Sequence, residues 1–182
     1  MNRKGFTLIE LLVVIAILAV LAVAVTLILN PAELVRQGRD SSRLSDIGTV
    51  HRAIGLYFAD QQELAFTTST TCTAVSSTCP TSASACSSTL VNASTTVKGG
   101  GWVNIDFTKM STGSPLARLP IDPVNSAPSF YVFATNTSEE YELDANMESM
   151  RYENGGGDDV ESTDGGDNDD WYEVGNKSAL DL

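Results

Sequence analysis

Several groups of residues in this chain have the types and spacing to do chemistry. The first is one carboxylate, Glu10, inside the run of residues 6–29 (FTLIELLVVIAILAVLAVAVTLIL), where the other polar residues are Thr7 and Thr26. A carboxylate in lipid costs ~2.5 kcal/mol or more at the bilayer centre, so it implies a cationic partner, or an interfacial position beside Lys4. The second is Cys72, Cys79 and Cys86, evenly spaced in a Ser/Thr-rich stretch. Zinc wants closer pairs and a fourth ligand, and the sole histidine, His51, is remote in sequence. Two of the three cysteines can join in a loop disulfide, which leaves one thiol over; three free thiols are the other reading. The third group is Asp158, Asp159, Asp164, Asp167, Asp169 and Asp170, set among Gly155, Gly156, Gly157, Gly165 and Gly166. Calcium takes about six to eight oxygens, and aspartates on flexible glycine loops supply them. Asp164, Asp167, Asp169 and Asp170 are the candidate ligands, although the segment does not match an EF-hand loop; a solvated acidic tail is the alternative. His51 has no nucleophile placed beside it, so no catalytic site and no required cofactor is expected.

These residues need elements to position them. The apolar run is long enough, at ~1.5 Å per residue, to cross a hydrocarbon core of ~30 Å as a helix. Arg3 and Lys4 place its leading end on the cytoplasmic side. Asn30-Pro31 interrupts it, because proline lacks an N–H and disfavours helix at the residue before it. Over residues 32–60 a helical pattern returns, with Leu44, Ile47, Val50, Ile54 and Phe58 on one face. Arg36, Arg39 and Arg43 share a different face, either solvated or turned to acidic neighbours in an assembly. Gly38, Gly48 and Gly55 weaken this helix, so it needs a surface to pack on.

Residues 61–98 are a Ser/Thr-rich loop region, too poor in apolar side chains to build a core and with room for one short strand or turn. Strand signals follow Gly99-Gly100-Gly101. Residues 102–107 alternate apolar with polar, and Phe130-Tyr131-Val132-Phe133 and Tyr141-Glu142-Leu143 flank an Asn-Thr-Ser-Glu turn. That predicts an antiparallel sheet of about three strands, with Trp171-Tyr172-Glu173-Val174 returning to pack on it. The fold class is therefore α+β. Asn92, Asn136 and Asn176 each begin an Asn-x-Ser pattern, a short motif near chance in so polar a chain. The net charge of -12 lies mostly in the C-terminal part, where Arg151 and Lys177 are the only bases after residue 139. That field repels phosphate backbones, so direct nucleic-acid binding is not expected.

The string Lys4-Gly5-Phe6-Thr7-Leu8-Ile9-Glu10-Leu11-Leu12-Val13-Val14 resembles the N-terminus of type IV pilins and type II secretion pseudopilins. No Ala-x-Ala cleavage site follows the apolar run, as a secretory signal peptide would have. The resemblance implies a leader at residues 1–5, cleavage after Gly5 by a prepilin peptidase and N-methylation of Phe6. It implies that Glu10 meets the new terminal ammonium, its own or a neighbour's, and so sets axial register. It also implies a pilin fold: residues 6–29 as membrane and filament-core helix, 30–60 as its amphipathic continuation, and a sheet with an acidic loop over 99–182. Pro120-Ile121-Asp122-Pro123 looks like the Leu-Pro-x-Asp-Pro run of major pseudopilins, whose C-terminal loop binds calcium. The implied partners are further copies and other pilins, the peptidase, the inner-membrane assembly platform and, before assembly, the cytoplasmic membrane; the globular part is exported and ends in a filament. The contrasting reading is a single-span surface binding protein that never polymerises.

Overall fold

The computed structural model describes residues 5–61, 67–76 and 90–176. The chain divides into two compact units, Met1–Arg36 and Gln37–Leu182.

The first unit is built on helix α1, Leu8–Leu29. Its stretch Leu8–Thr26 has a mean hydropathy of 3.2 and is 0% buried, so it is long and apolar enough to cross a membrane. It ends at Asn30, which takes the left-handed conformation (φ 40°) open to asparagine. Helix α2, Pro31–Gln61, starts at the next residue. Proline costs nothing at a first helical position, where its missing N–H would have had no partner. The Asn30 carbonyl accepts from the N–H of Glu33 (2.9 Å), which restarts the ladder. The interruption expected at Asn30-Pro31 is thus a one-residue break between two helices.

The second unit packs α2 onto an antiparallel sheet of order β1-β2-β3-β4. The strands are β1 (Ser69–Cys72), β2 (Tyr131–Thr135), β3 (Tyr141–Ala145) and β4 (Tyr172–Gly175). From α2, Ile47, Val50 and Ile54 are fully buried, with Ala53 and Tyr57 beside them and Leu44 and Phe58 at the margin. They meet Tyr131, Phe133, Tyr141, Leu143 and Ala145. The register puts Phe133 opposite Leu143 and Tyr131 opposite Ala145, so one face of the sheet carries this core. The β2–β3 turn is held by Asn136, whose Oδ1 accepts from Ser138 N–H (2.8 Å) and Glu140 N–H (3.2 Å).

One expectation needs correction. Residues 102–107 form no strand. Trp102, Val103, Ile105 and Phe107 are all buried in the core, but their backbone pairs with a neighbouring loop: Trp102 N–H donates to Ser94 (3.1 Å) and Phe107 N–H to Val97 (2.9 Å). Gly101 makes this possible, since a Cβ there would lie 2.3 Å from the Thr96 carbonyl. The strand that does add to the sheet, β1, comes from the Ser/Thr-rich segment, and β1 and β4 flank β2 and β3 to give four strands. It pairs with β2 and is fixed at its end by Thr73, whose Oγ1 accepts from Tyr131 N–H (2.9 Å).

Candidate functional site

Gly5 and Phe6 are open to other molecules. Gly5 and Phe6 precede α1 in non-helical backbone, and Phe6 is 80% exposed. A peptidase needs an accessible bond, and Gly5 and Phe6 are both exposed. Thr7 is the N-cap of α1, and Glu10 lies three residues on. The Thr7 N–H (2.9 Å) and hydroxyl (2.7 Å) both donate to the Glu10 carboxylate, while Glu10 N–H donates to Thr7 Oγ1 (3.3 Å). This reciprocal capping box satisfies donors that lipid cannot. It is a second role for Glu10, and Thr7-x-x-Glu10 carries its signature in the sequence.

The arginine stripe of α2 is not a uniform solvated face. Arg36 is half-exposed and makes a long contact to Glu33 (3.9 Å). Arg43 is fully buried and forks onto Asp122, with Nε at 2.6 Å and Nη2 at 3.1 Å. Its Nη1 reaches Asp40 at 2.6 Å, and its Nη2 also meets Glu148. Arg39 adds a second contact to Glu148. Asp40 accepts from Ser149 N–H (2.8 Å), and Asp122 accepts from the N–H groups of Val124 (2.7 Å) and Asn125 (3.0 Å). Burial opposes the charge on Arg43, but Asp122, Glu148 and Asp40 outweigh it and raise its pKa. Burial likewise pulls Glu148 upward, while Arg39 and Arg43 prevail and hold it at about 2. The acidic neighbours belong to this same chain, and the Pro-Ile-Asp-Pro element is what presents Asp122.

Cys72 is buried and disulfide-bonded; Cys79 and Cys86 lie outside the described residues. His51 accepts or donates at Nδ1 with the Tyr141 hydroxyl (3.0 Å), and burial, then Arg52, lowers its pKa. This is a packing histidine. The three Asn-x-Ser asparagines are spent on folding: the side-chain amides of Asn92, Asn136 and Asn176 donate to Gly101 (2.9 Å), Glu140 (2.6 Å) and the Glu139 carbonyl (2.8 Å).

Asp164 accepts from Gly166 N–H (2.9 Å) and Glu173 N–H (2.6 Å), which ties the loop to β4. Asp167, Asp169 and Asp170 are exposed. Asp158 pairs with Arg151 (2.5 Å), and Asp159 accepts from Gly155 N–H (2.8 Å) and Ser162. Among the described residues, the carboxylates that converge are those of Glu142, Asp144 and Glu173, with oxygens within 4.8 Å of one another. Sequence spacing alone could not bring them forward, because the third comes from another strand.

Residues 1–26 match the Prokaryotic N-terminal methylation motif. The matched segment takes in Gly5, Phe6, Thr7, Glu10 and most of α1, and it is the N-terminal signature found in pilin-type prepilins. Neither curated proteins nor solved structures contain a significant match to the chain.

Proposed function

We propose that the chain is a filament subunit of the type IV pilus and type II secretion class. It waits in the cytoplasmic membrane as a one-span precursor with its globular part exported. It is then cut after Gly5, methylated on Phe6 and drawn by the assembly platform into a helical polymer with α1 in the core. The observation that carries this reading is the methylation motif at the start of a helix whose apolar side chains lie exposed from Leu8 to Val25. Such a surface needs lipid or other helices around it. The expected result is a mature chain beginning at N-methylated Phe6, seen by intact mass of membrane-extracted protein. A functional form that still begins at Met1 or Asn2 would instead mark a permanent single-span anchor.

Glu10→Ala is expected to insert normally, since it makes the span more apolar. It should enter filaments poorly against wild-type chains, because the neighbour's ammonium loses its carboxylate. Thr7→Ala removes the cap and keeps the charge, so it separates the two roles. Equal incorporation of Glu10→Ala and wild type would end the register argument.

A further inference from the structure

We propose that the sheet face turned away from α2 holds a divalent cation of the calcium class, bound by Glu142, Asp144 and Glu173. The register builds the site. Asp144 on β3 stands directly opposite Glu173 on β4, and Glu142 lies two residues along on the same face. Glu142 is opposite Gly175, which puts no side chain in its way. Carboxylate oxygens that share one calcium at ~2.3–2.6 Å can be no more than ~5 Å apart. These lie within 4.8 Å of one another.

Burial makes the arrangement costly without an occupant. Glu142 and Asp144 are 0% exposed and Glu173 is 3% exposed. Both oxygens of Glu142 and the Oε1 of Glu173 accept no hydrogen bond. Buried charges are normally paired or ligate metals, and like charges directly opposite on neighbouring strands repel. The other oxygen of Glu173 accepts from Asn168 N–H (3.0 Å), and a Cβ at Gly166 would fall 1.8 Å from it. The acidic loop therefore closes over this carboxylate, and a side chain at Gly166 would displace it. All the donors are hard oxygens, with no imidazole or thiolate, so zinc and copper are poorly served. Magnesium demands tight octahedral geometry and keeps its water, which a dry strand face serves less well than calcium. The competing occupant is the proton: burial, then Asp144 and Glu173, raise the pKa of Glu142, and burial raises that of Glu173, with Asp164 and Asp167 of the loop adding to it.

The proposal differs from the loop site that the sequence suggests, and it stands whether or not the chain polymerises. The test uses the full chain in detergent, stripped with chelator and then given calcium or magnesium. Radiocalcium dialysis should find one ion per chain. Calcium at a hundredfold excess over Kd should raise the melting midpoint by roughly 5–10 °C, and magnesium by less. Glu142→Gln with Glu173→Gln should abolish both effects. In chelator this pair should melt above wild type, because repulsion is relieved, which shows that it is folded. Asp167→Asn with Asp169→Asn should keep both effects. Absence of a calcium shift, binding kept by the strand pair, or binding lost in the loop pair would each overturn the site.

Discussion

Arg43→Ala is expected to destabilise the second unit by ~3–5 kcal/mol, the usual cost of breaking a buried ion cluster from one side. At ~2–4 °C per kcal/mol, that lowers the melting midpoint by about 10 °C. Arg43 is fully buried, as are the Asp40 and Asp122 side chains it holds. Deleting it leaves two carboxylates in the interior facing a third, Glu148. Arg43→Lys should recover only part of the loss, since an ammonium cannot match the two-pronged contact to Asp122. Arg39→Ala should cost far less, because Arg39 is 30% exposed and Glu148 retains Arg43. Trp102 is a suitable reporter: it is buried, its Nε1 donates to the Pro120 carbonyl (2.8 Å), and α1 contains no tryptophan. A loss below ~1 kcal/mol for Arg43→Ala would mean that the cluster is neutral to stability.

In chelator, the same unit is expected to be more stable near pH 5 than at pH 8. Burial raises the carboxyl of Glu161 from its ordinary value to about 7, against the N–H groups of Met147 and Asn154 that favour its ionised form. Glu142, Glu173 and Asp164 are shifted in the same direction, with burial as the largest cause in each. A raised carboxyl means the folded state binds its proton more tightly than the unfolded chain does. Stability then falls as pH rises through the interval between the two values, for Glu161 from the ordinary carboxylate range to about 7. That one shift corresponds to ~3 kcal/mol. Glu148 works the other way. Its folded value of about 2 lies below the unfolded one, so its contribution is present above the ordinary range and is lost as pH falls towards 2. The midpoint plotted against pH should peak between these regimes. A midpoint that is flat or rising from pH 5 to pH 8 would contradict the assignment of buried acids.

The parts of this fold that announce themselves in the sequence are those set by short-range patterns. Helix α1 follows from an unbroken apolar run, the core face of α2 from spacings of three and four, and the β2–β3 hairpin from alternation around Asn136. What escapes is set by partners far along the chain. Arg43 has the same spacing as Arg36, and only Asp122 and Glu148 distinguish the buried one from the exposed one. Glu142 and Asp144 occupy the polar positions of an alternating strand, which normally face water. They are buried because the second face of the sheet is covered too, with Cys72, Phe130, Val132 and Trp171 forming an apolar cluster on it. Residues 102–107 mimic a strand by composition, but the close approach at Gly101 commits their backbone elsewhere. The Thr7–Glu10 cap is also a local motif, carried by the spacing Thr7-x-x-Glu10 alone.

The reach of the Arg43 cluster also sets the order in which the chain can fold. Arg43 meets Asp122 across 79 residues, and Arg39 meets Glu148 across 109. Strand β1 waits for β2 across 66. As the chain leaves the ribosome, α1 is complete while α2 still has bare arginines and an uncovered apolar face. At ~5–20 residues per second, the stretch between the end of α2 and Glu148 takes several seconds to make. Contacts this distant form late, because loop closure must come before any reward. The polypeptide beyond α1 thus stays open while α1 is already complete, and the second unit can lock only when its last third has been made.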